Sequence, residues 1–119
     1  MTQHILLLDL KDDPQSIAGY EAWHAPGKVP EAVVQSIRSD GVTAMQIFRS
    51  GNRLVMVVDV DPAFDPTATS ATDPVDPEVE AWETRMDKFQ QRLPWAAPGQ
   101  KWVPARQIFD LEKQSQRAA

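Results

Sequence analysis

The stretch LVMVV at residues 54–58 is apolar on successive residues, and LLLDL at residues 6–10 is nearly so. Side chains of a β-strand alternate between its two faces, so a strand with successive apolar residues carries apolar groups on both. These two strands therefore predict a central sheet that needs cover on both sides.

Outward from these strands, the sequence predicts further strands and three helices. Asp13 followed by Pro14 is typical of a helix start, because the aspartate caps the helix and proline costs nothing at its first position. Ser50-Gly51-Asn52-Arg53 favours a hairpin turn, since its two central residues tolerate a positive φ. We expect strands at residues 4–10, 44–49, 54–60 and 101–111, and helices that begin at Pro14, Pro30 and Asp76, the last with an apolar stripe that reaches Leu93.

The order strand, helix, strand, strand, helix, strand is typical of the ferredoxin-like split βαβ arrangement, an α+β fold. Its helices can cover only one face of the sheet. We therefore expect a second copy to cover the other face, giving a homodimer with a cavity between the two sheets. Residues 1–112 are expected to form one domain and residues 113–119 a frayed polar tail. Residues 61–77, with four prolines, are expected to form an exposed acidic excursion.

Size, charge and the lack of cysteine limit the classes of function. A chain of 119 residues suffices for one core but not for two domains. The formal net charge of -5 repels phosphate backbones, which disfavours nucleic acid as a partner. Without cysteine, disulfides, thiolate catalysis and cysteine-bound zinc are excluded. We expect a cytoplasmic protein without a membrane segment, because the apolar run near the N-terminus lacks the flanks of a secretory signal.

Tyr20 and His24 are the first candidates for chemistry. They are four residues apart on the first predicted helix, so they lie on the same face. Histidine can give and take protons near neutral pH, and a tyrosine beside it could orient the imidazole or bond a substrate hydroxyl. Taken alone, the spacing is more typical of a core tyrosine next to a histidine that ends a helix.

The four tryptophans are many for so short a chain. Aromatic faces stack on the C–H faces of sugars, but Trp82 also belongs to the apolar stripe of the third helix and is by periodicity a core residue. Glu83 and Arg85 lie off that stripe, where charged residues are more typical of a solvated surface. His4 has no other histidine near it in sequence, so no metal site is expected.

A series of short motifs runs in order along nearly the whole chain. They are Tyr20-x-x-x-His24, Pro30-Glu31, Ser39-Asp40-Gly41, MQIF at 45–48, RLVMVVDV at 53–60, PEVEAWE at 77–83, FQQ at 89–91, Leu93-Pro94, GQKWV at 99–103 and IFDL at 108–111. Each motif is weak alone, but the ordered set is specific. It resembles the L-rhamnose mutarotase family, and more closely its L-fucose mutarotase branch.

The resemblance implies a dimeric α/β barrel of ferredoxin-like subunits, in agreement with the two-faced strands. It also implies interconversion of the α and β anomers of a six-carbon deoxysugar, without cofactor or metal. By the same resemblance, His24 is the proton-donating histidine and Tyr20 contacts substrate. Trp82 and Glu83 stand where the rhamnose enzymes have an aromatic pair against substrate, and Met45 stands where they have a second tyrosine.

The chain departs from the rhamnose pattern at these last positions. Met45 lacks the tyrosine hydroxyl and Glu83 is not aromatic, which favours L-fucose over L-rhamnose as the sugar. Opening a pyranose requires one proton delivered to the ring oxygen and another removed from the anomeric hydroxyl. His24 can serve one of these oxygens. Tyr20 and Glu83 are both candidates for the other, and the sequence does not choose between them.

Three other functions remain open at the level of sequence. One is an L-rhamnose mutarotase. Another is a cofactor-free monooxygenase on the same dimeric barrel, which would act on an aromatic polyketide-like substrate in a more apolar cavity. The third is a non-catalytic module that binds a small ligand, since folds of this type host several functions.

Overall fold

The computed structural model describes residues 2–61 and 76–114. Within these ranges the chain forms a mixed α+β fold with one antiparallel sheet. The elements in chain order are strand β1 (Thr2–Leu10), helices α1 (Pro14–Trp23) and α2 (Glu31–Ser39), strands β2 (Val42–Ser50) and β3 (Arg53–Val60), helix α3 (Pro77–Asp87), the short strands β4 (Gln90–Gln91) and β5 (Val103–Pro104), and a 3₁₀ turn (Leu111–Lys113).

Two of the helices begin at the caps that the sequence predicts. The Asp13 side chain accepts a hydrogen bond from the Ser16 backbone N–H at 2.7 Å, and Pro14 occupies the first turn of α1. The same arrangement opens α3, where the Asp76 side chain accepts from the Glu78 N–H at 2.8 Å. The predicted starts of α1 and α3 are therefore confirmed.

The strands pair in the order β2-β3-β1-β4, with β5 also paired to β1. Since β1 and β2 each run antiparallel to β3, they are parallel to one another with β3 between them, which is the split βαβ topology. A two-residue turn joins β2 to β3. Gly51, its first residue, has a φ of 59°, as a type II′ turn requires, so the predicted hairpin is confirmed.

The predicted strand at residues 101–111 is wrong in its extent. Within the predicted range only Val103 and Pro104 pair with β1, at Leu7 and Leu6. At the end of β1, Asp9 and Leu10 pair with β4, which the sequence did not indicate. The Ala105 N–H still donates to the Ile5 carbonyl at 2.7 Å, after which the ladder ends. Pro104 has no N–H to donate, which limits pairing on this edge.

Helix α3 ends at Asp87, so the expectation that its stripe continues as helix to Leu93 is also wrong. Gln90 and Gln91 pair instead with the end of β1. Leu93 is still buried, and Phe89 packs against the core. The apolar spacing is therefore real, but strand pairing replaces the last helical turn.

The two faces of the sheet differ in burial. The helix-covered face is the core, formed by β1 and β3 side chains that are at most 8% exposed: Leu6, Leu8, Leu10, Leu54, Met56, Val58 and Val60. On the opposite face, Ile5, Leu7, Val55 and Val57 are only half-buried. Phe48 of β2 is 55% exposed on that face. The described residues of one subunit thus leave an apolar sheet face incompletely covered.

Two predicted segments lie largely beyond the described ranges. The acidic excursion at 61–77 falls almost entirely within residues 62–75, and most of the tail lies in residues 115–119. Among the helices of residues 2–61 and 76–114, none has the length and apolar character needed to cross a membrane.

Candidate functional site

A cavity of about 530 Å³ lies between the helices and the sheet. All five residues singled out from the sequence line it, namely Tyr20, His24, Met45, Trp82 and Glu83. The cavity is formed within one subunit on the helix-covered face. The expected cavity between two sheets requires a second copy and stays a prediction. The floor of the cavity includes Met45 and Ile47 of the edge strand β2. Both side chains are only half-buried beneath the helices.

His24 caps the C-terminus of α1 and is held there by one ring nitrogen. Its Nδ1–H donates to the Tyr20 backbone carbonyl at 2.7 Å. A carbonyl oxygen can only accept, so Nδ1 carries the proton and, in the neutral imidazole, Nε2 carries the lone pair. The helix end thereby fixes both the tautomer and the ring position, which leaves Nε2 for proton transfer.

Tyr20 is 4% exposed, and its ring lies 4.2 Å from that of His24, centroid to centroid. Burial raises the pKa of Tyr20 to about 12; the Gln90 hydrogen bond opposes this rise and the negative charge of Glu83 adds to it. Tyr20 is therefore a neutral hydroxyl at physiological pH.

The Gln90 side chain determines whether the Tyr20 hydroxyl accepts or donates the hydrogen bond between them. Its hydrogen bond lowers the pKa of Tyr20, as a bond donated by the amide N–H to the Tyr20 oxygen does, and among the described residues its buried Oε1 has no hydrogen-bond partner. The proton of Tyr20 is consequently available as a donor to the cavity.

Trp82 is both core and cavity wall. It is 5% exposed and meets the His24 ring edge-on at 5.3 Å and the Trp23 ring edge-on at 6.4 Å. The Arg85 guanidinium lies 4.4 Å from the Trp23 ring, a cation–π contact on the outer side of this stack. The core role expected from periodicity is confirmed, and the same indole presents an aromatic surface to the cavity.

Glu83 stands at the edge of the cavity in an ion pair. The Lys101 Nζ lies 2.8 Å from Glu83 Oε2 and 2.7 Å from Asp87 Oδ1. Burial by itself lowers the pKa of Lys101, but the hydrogen bonds to Asp87 and Glu83 outweigh it and leave the pKa above its ordinary value. The carboxylate at this wall is thus held by a charged lysine.

The sequence reasoning missed Gln90, Lys101 and Trp102. Gln90 and Trp102 line the cavity, and Lys101 reaches its edge through Glu83. All three lie inside the motifs FQQ and GQKWV, but nothing in those motifs indicates which side chains meet α1 or α3. In the part of the chain that the structure describes, no three His, Asp or Glu side chains cluster as metal ligands would.

Comparison with known proteins gives relatives over nearly the whole chain. An L-fucose mutarotase from Xanthomonas campestris pv. campestris is 48% identical over 107 residues, covering 90% of this chain and 86% of the relative. A protein from Dictyostelium discoideum is 31% identical over 109 residues, covering 88% of this chain and 86% of that protein.

Two solved structures share the fold at low sequence identity. An L-rhamnose mutarotase from Formosa agariphila superposes with a TM-score of 0.63 at 17% identity, covering 93% of this chain and 99% of that one. Tetracenomycin F2 cyclase from Streptomyces glaucescens, a type-II polyketide cyclase, superposes with a TM-score of 0.59 at 14% identity, covering 92% and 96% of the two chains. Both likenesses concern the fold.

The model of the family described as L-rhamnose mutarotase matches residues 3–111, a range that contains every cavity residue discussed above. Together with the 48% identity to an L-fucose mutarotase, this match means that the chain belongs to the L-rhamnose mutarotase family.

Proposed function

We propose that this protein is an aldose mutarotase, an isomerase that interconverts the α and β anomers of a 6-deoxy-L-hexose, with L-fucose as the preferred sugar. The observation that carries the proposal is His24, held in the cavity wall with Nδ1 bonded to the Tyr20 carbonyl and Nε2 left for proton transfer. The 48% identity to an L-fucose mutarotase supports both the reaction and the choice of sugar.

Ring opening follows from the two groups that meet at this point of the cavity. His24 Nε2 accepts the proton of the anomeric hydroxyl while the bond between the anomeric carbon and the ring oxygen breaks. It donates this proton back when the ring closes, which is the proton-donating role that the resemblance implies. Tyr20, whose raised pKa keeps it protonated, donates its proton to that ring oxygen. The resulting imidazolium and phenolate lie side by side, which stabilises both charges. The aldehyde end rotates, the ring recloses, and both protons return, so no cofactor or metal is consumed.

Tyr20 is a better candidate than Glu83 for the second proton. The Glu83 carboxylate is paired with Lys101, and an ionised carboxylate can only accept hydrogen bonds. Glu83 is therefore suited to hold a sugar hydroxyl rather than to protonate the ring oxygen. The ion pair of Glu83 thus favours Tyr20 among the two candidates that the sequence leaves open.

Glu83 and Met45 are proposed to select the sugar. L-Fucose and L-rhamnose differ in the configuration of their ring hydroxyls, and a carboxylate can accept from two neighbouring hydroxyls where an aromatic face offers mainly stacking. The Glu83 side chain is 55% exposed, so the loss of one hydroxyl partner costs less than the roughly 1–3 kcal/mol of a buried unpaired group. We therefore expect faster exchange of L-fucose than of L-rhamnose, and we expect Glu83→Gln to narrow the difference.

We further propose a cytoplasmic homodimer in which the half-buried sheet face is covered by a second copy. The apolar side chains of that face, including Val55, Val57 and the exposed Phe48, support this arrangement.

Saturation-transfer NMR on the anomers of L-fucose, L-rhamnose and D-glucose, with catalytic amounts of protein, tests the function directly. The proposal expects exchange above the spontaneous rate for L-fucose, slower exchange for L-rhamnose and none above background for D-glucose. Spontaneous rates for all three sugars would refute the mutarotase assignment. Equal rates for the two deoxysugars, or a preference for L-rhamnose, would refute the choice of sugar alone.

A further inference from the structure

The Glu83 wall of the cavity contains an unusual grouping of charges. Glu83 and Asp87 are four residues apart on α3, so two like charges share one face of the helix, an arrangement that by itself destabilises a helix. Lys101 bridges both carboxylates, with its Nζ 2.8 Å from one and 2.7 Å from the other. It comes from the segment before β5, far along the chain from α3.

Lys101 is shielded and its two partners are not. Its side chain is 19% exposed, whereas those of Glu83 and Asp87 are 55% and 58% exposed. Its neighbour Trp102 lines the cavity, so the lysine and the cavity wall are parts of one segment. The raised pKa of Lys101 keeps the ammonium charged at physiological pH.

The bridge has a direct consequence for substrate recognition. A glutamate that is half-exposed samples several rotamers, and ordering it on substrate binding costs free energy. Lys101 holds Glu83 through Oε2, and a carboxylate has about four acceptor sites, so Oε1 can accept hydrogen bonds from hydroxyls. Asp87 in turn holds the lysine in place from the next turn of the helix.

We propose that Lys101 is a positioning residue that fixes Glu83 as the hydroxyl acceptor of the cavity and thereby sets the preference between 6-deoxy-L-hexoses. The inference rests on the proposed mutarotase function and adds to it a residue that never touches the sugar. It assigns specificity to an ion pair between α3 and the segment before β5, in addition to the residues of the cavity wall.

The test compares Lys101→Met, Lys101→Arg and Lys88→Met in saturation-transfer NMR with L-fucose and L-rhamnose. Methionine keeps the apolar stem and removes the charge, whereas arginine keeps a charged donor for both carboxylates. Lys88 is an exposed lysine at the end of α3, so Lys88→Met controls for the same chemical change away from the cavity.

We expect Lys101→Met to lower kcat/KM for L-fucose about tenfold, mainly by raising KM. The ratio of kcat/KM for L-fucose to kcat/KM for L-rhamnose should then be close to the ratio measured for Glu83→Gln. Lys101→Arg should restore most of the ratio, and Lys88→Met should keep the wild-type ratio. In the double variant Lys101→Met/Glu83→Gln, the loss should be no larger than in Glu83→Gln, because both changes remove one interaction.

An unchanged sugar ratio in Lys101→Met, alongside an altered ratio in Glu83→Gln, would overturn the inference. So would an equal loss for both sugars accompanied by a lower melting temperature, since that result means a structural role only. If Lys101→Met does not fold, Lys101→Gln, which keeps a polar side chain, takes its place. A wild-type ratio of kcat/KM for the two sugars in that variant would likewise overturn the inference. Failure of the wild-type protein to exchange any sugar refutes the mutarotase function, which separates the two hypotheses.

Discussion

At the residue scale, the imidazole of His24 and the hydroxyl of Tyr20 depend on each other. The backbone carbonyl of Tyr20 holds Nδ1 of His24, and the two rings are in contact. A substitution at either position therefore changes both chemistry and packing, and useful variants must separate the two effects.

The variant His24→Asn makes this separation. The asparagine amide N–H can take the place of Nδ1–H against the Tyr20 carbonyl, but nothing replaces Nε2. Proton transfer by one positioned side chain contributes roughly 10²–10⁴-fold in rate, so we expect a loss of this size in anomer exchange measured by NMR, with an unchanged melting temperature. His4→Gln, which alters the other histidine, serves as the control and should exchange at the wild-type rate. Exchange near the wild-type rate in His24→Asn would remove His24 from the mechanism.

Tyr20 is the single tyrosine in the sequence, so tyrosinate absorption reports this residue alone. Burial raises its pKa from an ordinary value of 10.0 to about 12 in the folded protein. We expect an ultraviolet titration midpoint near pH 12 for the native protein and near 10 in denaturant. A native midpoint near the denaturant value would contradict the burial of this hydroxyl.

The sign of the pH dependence follows from the same shift. Between the unfolded and folded pKa values the unfolded chain has lost the tyrosine proton and the native state still holds it, so stability falls as pH rises through this window. The stabilisation is complete below pH 10 and lost by about pH 12. Tyr20→Phe should abolish this contribution, roughly 1–3 kcal/mol, in denaturation series at increasing pH.

At the scale of the elements, the hairpin between β2 and β3 sets the register of the sheet. Its turn has Gly51 at a φ of 59°, and the next residue, Asn52, receives the Leu10 N–H on its backbone oxygen at 2.7 Å. The turn thus connects the hairpin to the end of β1, beside the segment where α1 begins.

Gly51→Ala places a Cβ on a residue with positive φ. We expect a loss of about 1 kcal/mol in the free energy of unfolding, measured with urea, because alanine strains this turn. Ser50→Ala, one residue earlier in β2, is the control and should stay within about 0.5 kcal/mol of wild type. Anomer exchange by folded Gly51→Ala should match wild type, because Gly51 does not line the cavity. Unchanged stability would mean that the turn relaxes to another type.

At the scale of the whole molecule, the half-covered sheet face governs assembly. Phe48 is 55% exposed on this face, so replacing it disturbs contacts with the proposed second copy far more than the subunit itself. We expect the wild-type protein to sediment as a dimer at micromolar concentration and Phe48→Glu as a folded monomer, because a carboxylate in an apolar interface is costly. Thr84→Glu, on the exposed surface of α3, should remain dimeric. A stable wild-type monomer would refute the dimeric barrel.

The sequence by itself determined the features that depend on neighbouring residues. The caps at Asp13 and Asp76, the turn at Gly51 and the strands β1 and β3 with apolar residues on both faces are local patterns. Each is found where it was expected. The resemblance to the family identified five residues that all line the cavity, namely Tyr20, His24, Met45, Trp82 and Glu83. Such a resemblance is visible in the sequence without knowledge of the packing. The split βαβ topology followed from the order of these elements.

Only the tertiary structure decided the features that depend on distant residues. The end of β1 selects Gln90 as a strand partner and so ends α3 early, a choice that helical spacing cannot reveal. The Lys101 bridge joins residues 18 positions apart along the chain, and the packing of the helices on the sheet forms the cavity within one subunit. Each of these features is the outcome of a competition between contacts of residues that are distant in sequence. The relative energies of those contacts are set only when the elements pack together.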